Sequence, residues 1–279
     1  MRIVVTGAGG QVGVELTLLL NQNSQYQVFP LTKKEFDITN EEIVCKKIAE
    51  INPDWVVHCA AYTNVDAAED VGKELCWNVN KNGAAIIGKA AALSNSKLIY
   101  ISTDYVFDGR KHTAYQETDE TNPLNEYGGA KLAGEKEIFR TCLDSYIVRT
   151  SWVFGKYGKN FVYTMLKLAE TSKELKIVDD QYGRPTYAKD LAAFINYIIM
   201  NNPPTGIYHF SNENTATWYE FARGILKDHN VKVLPIRSND YKQKALRPKY
   251  NVLSLEKAKS HFQIPTWETA LDHFMKNLK

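Results

Sequence analysis

Short apolar runs, each followed by a stretch with helical spacing, occupy the first 151 residues, and this alternation limits the fold more than any other feature. The runs are "RIVVT" (2–6), "YQVFPL" (26–31), "DWVVHCA" (54–60), "KLIYIST" (97–103) and "SYIVRTS" (145–151). The helical stretches fall near 12–21, 40–51, 72–94 and 125–142, the second capped by Thr39 or Asn40. Strand and helix in alternation require parallel strands joined by right-handed crossovers, hence a doubly wound, Rossmann-type α/β sheet with helices on both faces. Such sheets take ligands beyond the carboxyl ends of their strands. Polar clusters stand at those ends: "TGAGGQVG", "AAYTNVDAAED", "STDYVFDG" and "RTSWVFG".

The first of these clusters, Gly7-Ala-Gly-Gly10-Gln11-Val12-Gly13, lies between a strand and a helix. Glycines there allow a tight turn and bring backbone N–H groups to a pyrophosphate at the helix N-terminus, the geometry of dinucleotide binding. The end of the second strand distinguishes the cofactors. An acidic residue would bind a ribose 2′-hydroxyl; "LTKKE" instead carries Lys33 and Lys34, which suit a 2′-phosphate and favour NADPH, with NADH left open. Asp37 and Ile38 in "EFDIT" are placed for the adenine.

Beyond residue 152 the pattern loosens. A helix (160–172), a short strand (175–178), the loop "DDQYGRPT" (179–186) and a helix (187–200) are followed by "GIYHFS" (206–211), a helix (217–229), "VKVLPI" (231–236) and two short helices. Residues 1–151 read as the dinucleotide-binding core. Residues 152–279 read as mainly a smaller substrate-binding lobe, with elements interleaved with the core.

Composition removes several function classes. The net charge of +2 is spread along the chain, which argues against nucleic acid or an anionic membrane as partner. No run approaches the length of a membrane span, and "MRIVVTGAGG" is too short for a signal h-region, so a cytoplasmic protein is expected. Cys45, Cys59, Cys76 and Cys142 form no C-x-x-C pair, and the six histidines show no ligand spacing, so neither a disulfide framework nor a metal site is expected.

Tyr127 and Lys131 stand one helical turn apart in "EYGGAKLAGEK" (126–136). Ketone reduction by a nicotinamide needs a proton for the developing alkoxide, and a tyrosine phenol can give it. A lysine on the same helix face draws the phenol pKa down, and Thr103 at the end of the fourth strand can hold the carbonyl oxygen from the other side. Gly128 and Gly129 weaken the helix by about 1 kcal/mol each, and clearance for ribose and nicotinamide is the reason assigned to them here. A second pair at the same spacing, Tyr163 and Lys167, lies among large apolar residues and reads as ordinary amphipathic helix.

Together these motifs resemble the extended short-chain dehydrogenases/reductases, and their wording is closer still to the dTDP-4-dehydrorhamnose reductases. "AAYTNVDAAE" (60–69), "STDYVFDG" (102–109), "YGGAKLAGE" (127–135), "RTSWVFG" (149–155) and "VDDQYGRPT" (178–186) match that pattern in order, and "RPKYNVLS" (247–254) matches more loosely. The resemblance implies NADPH-dependent reduction of the 4-keto group of dTDP-4-dehydro-L-rhamnose. It makes Tyr127 the proton donor, Lys131 the ligand of the ribose hydroxyls, and Thr103 the group that orients the substrate oxygen. Asp104 and Trp152 then contact the sugar, while Gly10, Gln11, Val12, Asp37, Ile38, Ala61, Tyr62 and Thr63 line the dinucleotide. Arg247 is a candidate for the substrate diphosphate, since a guanidinium binds it bidentately, or else a member of a structural ion pair.

The sequence departs from the family in two ways. Asn251 stands where the family usually has serine. Some members dimerise through a magnesium site of acidic side chains; Glu15 stands at one such place, but the remaining positions find no match. Mg2+ is therefore not expected to serve the chemistry, its structural role stays open, and a monomer or homodimer is expected. Two rival readings stand: another nucleotide-sugar reductase or epimerase of the extended family, and a non-catalytic regulatory subunit like that of methionine adenosyltransferase.

Overall fold

The computed structural model describes residues 1–278. Its first half runs β1 (Arg2–Thr6), α1 (Gln11–Leu20), β2 (Gln27–Leu31), α2 (Glu41–Ile51), β3 (Trp55–His58), α3 (Lys73–Trp77), α4 (Ala84–Leu93), β4 (Lys97–Thr103), α5 (Glu126–Thr141) and β5 (Ser145–Thr150). Then come β6 (Val153–Phe154), α6 (Phe161–Thr171), β7 (Glu174–Val178), β8 (Tyr182–Gly183), β9 (Thr186–Tyr187), α7 (Ala188–Asn201) and β10 (Gly206–His209). The chain closes with β11 (Ala216–Thr217), α8 (Trp218–Ile225), β12 (Lys232–Ile236), α9 (Glu256–Lys259) and α10 (Trp267–Lys276).

The main sheet has the order β10-β5-β4-β3-β1-β2 and is parallel throughout. From β1 the chain passes to β2 on one side and later to β3 on the other, so the switch point lies between β1 and β3. Alternation along each strand feeds two cores. Ile3, Val5, Val57 and Ile99 pack with Leu16 and Leu20 of α1 and Phe194, Ile195 and Ile198 of α7. Val4, Val56, Leu98 and Tyr100 face Val44 and Ile48 of α2, Ile87 of α4 and Ile138 of α5. A third cluster, from Phe154, Val162, Phe221, Trp267 and Phe274, lies wholly after residue 152.

The structure differs from the sequence reading at residues 72–94. The helical stretch at 72–94 is α3 and α4 with a π-helical turn, Asn78–Gly83, between them. That turn carries Asn80, whose side chain accepts from the Tyr62 N–H at 2.9 Å and donates to the Tyr62 carbonyl at 3.0 Å, so it serves as a one-residue strand partner. Such turns concentrate at functional sites. The chain also crosses back over the boundary at 152: α7 lies on α1, and β10 pairs with β5 at the sheet edge. The reason is apolar area, because α7 presents Leu191, Phe194, Ile195 and Ile198 on one face.

Candidate active site

A cleft of about 760 Å³ opens at the carboxyl ends of the strands over the switch point. Its floor is the glycine turn. Gly7 has φ +65°, and a Cβ there would lie 2.5 Å from the Ala60 nitrogen, so only glycine lets β1 turn this close to the segment after β3. Helices α2, α5 and α6 are capped by the side chains of Asn40, Asn125 and Asn160, whereas α1 has Gly10 at its N-cap and no side-chain cap. Its first-turn N–H groups thus need an acceptor from elsewhere, and space around Gly9 is open. This cradle fits a phosphate group.

Gly7, Gly10, Gln11, Val12, Gly13, Lys33, Asp37, Ile38, Ala61, Tyr62 and Thr63 all line the cleft. Lys34 is not among the lining residues. Asp37 accepts from the Thr39 N–H at 3.0 Å and hydroxyl at 2.7 Å, and these bonds hold its carboxyl below the usual carboxylate range. The π-helical turn and Ile38 fit closely, for a Cβ on Gly83 would lie 2.8 Å from Ile38 Cδ1.

Thr103, Asp104, Tyr127, Lys131 and Trp152 line the other end of the same cleft. Burial raises the Tyr127 phenol well above its ordinary value, and the facing Thr103 hydroxyl opposes that rise. Lys131 is 1 % exposed, donates to the Ile101 carbonyl at 2.7 Å and sits 3.9 Å from the centre of the Tyr100 ring. Burial lowers its pKa to about 7, with Glu135 opposing. The Lys131 ammonium thus uses one of its three protons on a backbone carbonyl of β4. Tyr163 bonds the Lys156 carbonyl at 2.9 Å and takes no part in the cleft.

The reason assigned to the helix glycines is corrected. A Cβ on Gly128 would lie 2.2 Å from the Tyr105 carbonyl oxygen, and one on Gly129 would lie 3.5 Å from the Trp77 ring. Neither glycine lines the cleft. Gly128 lets α5 pack on the segment after β4, which places Tyr127, whereas a Cβ on Gly129 would meet the Trp77 ring of α3 at ordinary van der Waals distance.

Asp104 is 2 % exposed, and burial pushes its carboxyl up to about 7 against hydrogen bonds from Asn251 and Thr103. The Asn251 amide donates to the Asp104 carbonyl and to Oδ2, both at 2.8 Å, while the Thr103 hydroxyl donates to Oδ1 at 3.1 Å. Arg247 does not line the cleft. Its Nη1 and Nη2 donate to Asp66 at 3.1 and 2.9 Å, the ion-pair alternative of the sequence reading. Glu15 is half-buried, and burial raises its carboxyl against the charges of Lys189 and Lys156. Among the described residues no group of His, Cys, Asp and Glu is arranged to hold a metal. No helix among them is long and apolar enough to cross a membrane.

Trp152 shows a feature the sequence hides. Its φ of +46° is rare for a bulky residue, and its indole stacks on Trp218 at 3.7 Å between centroids. Sequence reasoning missed Trp218 as a lining residue, because nothing in "TATWYEF" separates it from a core aromatic. Tyr105 and Ser151, also lining, were missed although each lies within a quoted motif.

A switch-point cleft with an uncapped helix over a glycine turn, joined to a Thr–Tyr–Lys group, defines a nicotinamide-dependent oxidoreductase of the Rossmann type. The family model described as "RmlD substrate binding domain" matches residues 1–279, and the chain belongs to that family. The spore coat polysaccharide biosynthesis protein SpsK of Bacillus subtilis is 44% identical over 257 residues, 91% of this chain and 89% of the relative. A dTDP-4-dehydrorhamnose reductase of Aggregatibacter actinomycetemcomitans is 40% identical over 97% of each chain. The crystal structure of dTDP-4-dehydrorhamnose reductase from Bacillus anthracis in complex with NADP superposes with a TM-score of 0.95 at 40% identity, covering 99% of both chains.

Proposed function

We propose that this chain reduces the 4-keto group of dTDP-4-dehydro-L-rhamnose to give dTDP-L-rhamnose, with NADPH as reductant. The observation that carries the reading is that Thr103, Tyr127 and Lys131 meet in the cleft that begins at the Gly7–Gly13 turn. Full-length similarity to reductases of that name supports the substrate.

A nicotinamide held in this cleft would supply hydride for the carbonyl carbon. Tyr127 gives the proton to the developing alkoxide, and Thr103 orients the same oxygen. Lys131 holds the ribose hydroxyls and adds positive charge beneath the phenol. The first-turn N–H groups of α1 take the pyrophosphate and Lys33 takes the 2′-phosphate, which is why NADPH is assigned over NADH. Asp104 and the stacked Trp152 contact the sugar. The dTDP diphosphate is assigned to Arg247 only if substrate draws its guanidinium from Asp66. The enzyme works in the cytoplasm as a monomer or homodimer, and its chemistry needs no Mg2+.

The test follows NADPH absorbance with dTDP-4-dehydro-L-rhamnose for wild type and Tyr127→Phe. Wild type should consume NADPH, and the variant should lose about 10²- to 10⁴-fold in kcat while still binding NADPH. An inactive wild type that binds NADPH would refute the assignment.

A further inference from the structure

Three residues of the motifs quoted above have no part in that reading. Ser102 opens "STDYVFDG", Glu135 closes "YGGAKLAGE" and Arg149 opens "RTSWVFG". The fold brings all three into one contact. Arg149 donates to Glu135 through Nε at 3.0 Å and Nη2 at 2.7 Å, and the Ser102 hydroxyl donates to Glu135 Oε1. Each side chain of the pair is 3 % exposed. The guanidinium also lies 5.1 Å from the Phe107 ring centre, and its Nη1 has no partner among the described residues.

A buried ion pair is a poor way to gain stability, because removing both charges from water costs about as much as their attraction returns. Apolar side chains of similar volume would fill this space between α5, β4 and β5 at least as well. The ionic choice therefore points to what lies beside it. Glu135 follows Lys131 by one helical turn, and Ser102 stands between Ile101, whose carbonyl accepts from Lys131, and Thr103. Helix α5 is thus fastened to β4 at two successive rungs, directly beneath Tyr127 and Thr103.

Around Lys131 stand Tyr127 and Glu135 of its own helix, Tyr100 of β4, His58 and Cys59 at the end of β3, and Cys76 of α3, with Arg149 of β5 behind Glu135. Burial favours the neutral amine of Lys131, and Glu135 is the foremost charge opposing it.

We propose that Glu135, braced by Arg149 and Ser102, is a positioning residue for the reaction: it sets α5 against β4 and supplies the fixed negative charge that keeps Lys131 an ammonium. Its catalytic consequence rests on the reductase reading, in which Lys131 acts as a cation. The ionisation itself does not.

The test uses the NADPH-bound full chain. Glu135→Gln alone leaves Arg149 buried without a counter-charge, so the informative variant is Glu135→Gln/Arg149→Met, which removes both charges and keeps an amide within reach of Ser102. Lys131 is followed by 15N NMR of Nζ, with its signal assigned by loss in Lys131→Met, and kcat is measured against pH. Both the Lys131 titration and the alkaline limb of kcat should move to lower pH by about one unit, the lower end of what a close counter-charge achieves. Glu135→Asp keeps the charge and shortens the reach, so it should lower kcat while Lys131 titrates as in wild type. A folded, NADPH-binding double variant in which Lys131 titrates as in wild type would overturn the proposal, and so would a shift in Glu135→Asp as large as in the double. If wild type fails to reduce the sugar while the NMR shift appears, the reductase reading falls and the role of Glu135 toward Lys131 stands.

Discussion

The side-chain amide of Asn251 grips Asp104 twice, at the backbone carbonyl and at Oδ2, both at 2.8 Å. The two residues are 147 positions apart in the chain, and the contact holds the segment before α9 against the end of β4. A serine hydroxyl at this place has one proton and could serve only one of the two acceptors. The paired bonds of Asn251 thus mount Asp104 next to Thr103.

Asn251→Leu removes both donors and leaves a buried carbonyl and carboxylate oxygen without them. Loss of buried partners costs about 1–3 kcal/mol, so the variant should unfold at correspondingly lower urea concentration. Asn251→Ser should recover part of the loss. Equal stability of all three proteins would show that the contact contributes nothing.

The Asp104 carboxyl has its own pH signature. Its folded value, about 7, lies above its ordinary value of 3.8, so between those limits the folded protein holds the extra proton. The stability Asp104 contributes is complete below its ordinary value and is lost as pH rises through about 7. Asp104→Asn does not titrate, so it should gain in Tm relative to wild type as pH goes from 4 to 8. The difference between the two proteins isolates Asp104 from His58 and His209, which are lowered to about 3 by burial and give stability that is lost as pH falls. A flat difference across that range would count against the raised carboxyl.

Lys131 is buried at a cost to the fold, with its pKa lowered to about 7 chiefly by desolvation. Lys131→Met should therefore gain about 1–2 kcal/mol in chemical denaturation while losing most of its kcat. A variant both less stable and less active would mean that the bond to the Ile101 carbonyl outweighs the desolvation.

Lys33 lines the cleft near Asp37. Lys33→Glu should weaken NADPH more than NADH, because a carboxylate repels the 2′-phosphate. Titration by cofactor fluorescence gives both constants, and the NADPH:NADH affinity ratio should fall at least about tenfold, or 1.4 kcal/mol. An unchanged ratio would remove Lys33 from phosphate recognition.

Local patterns in the sequence carried the parallel sheet, the glycine turn and the Thr103, Tyr127 and Lys131 group. Hydrophobic periodicity reports which face of an element is buried, and strand ends in such sheets are where ligands sit. The same local signals could not say that Gly128 clears the Tyr105 carbonyl, since a close approach depends on a neighbour distant in sequence. They gave the Tyr127–Lys131 spacing but not the direction of the ammonium, which rotamer and packing turn to Ile101. Trp218 was unreadable as a cleft residue because its exposure is set by the fold of residues 152–278, where apolar spacing mixes two cores. By itself, the sequence determined the alternating elements of the sheet, the glycine turn and the Thr103, Tyr127 and Lys131 group, all short-range properties of the chain. Only the tertiary structure decided the Asn251–Asp104 clamp, the Arg247–Asp66 pair and the Ser102–Glu135–Arg149 contact. Each joins separate elements, and a buried polar group takes whichever partner the packed fold leaves within reach.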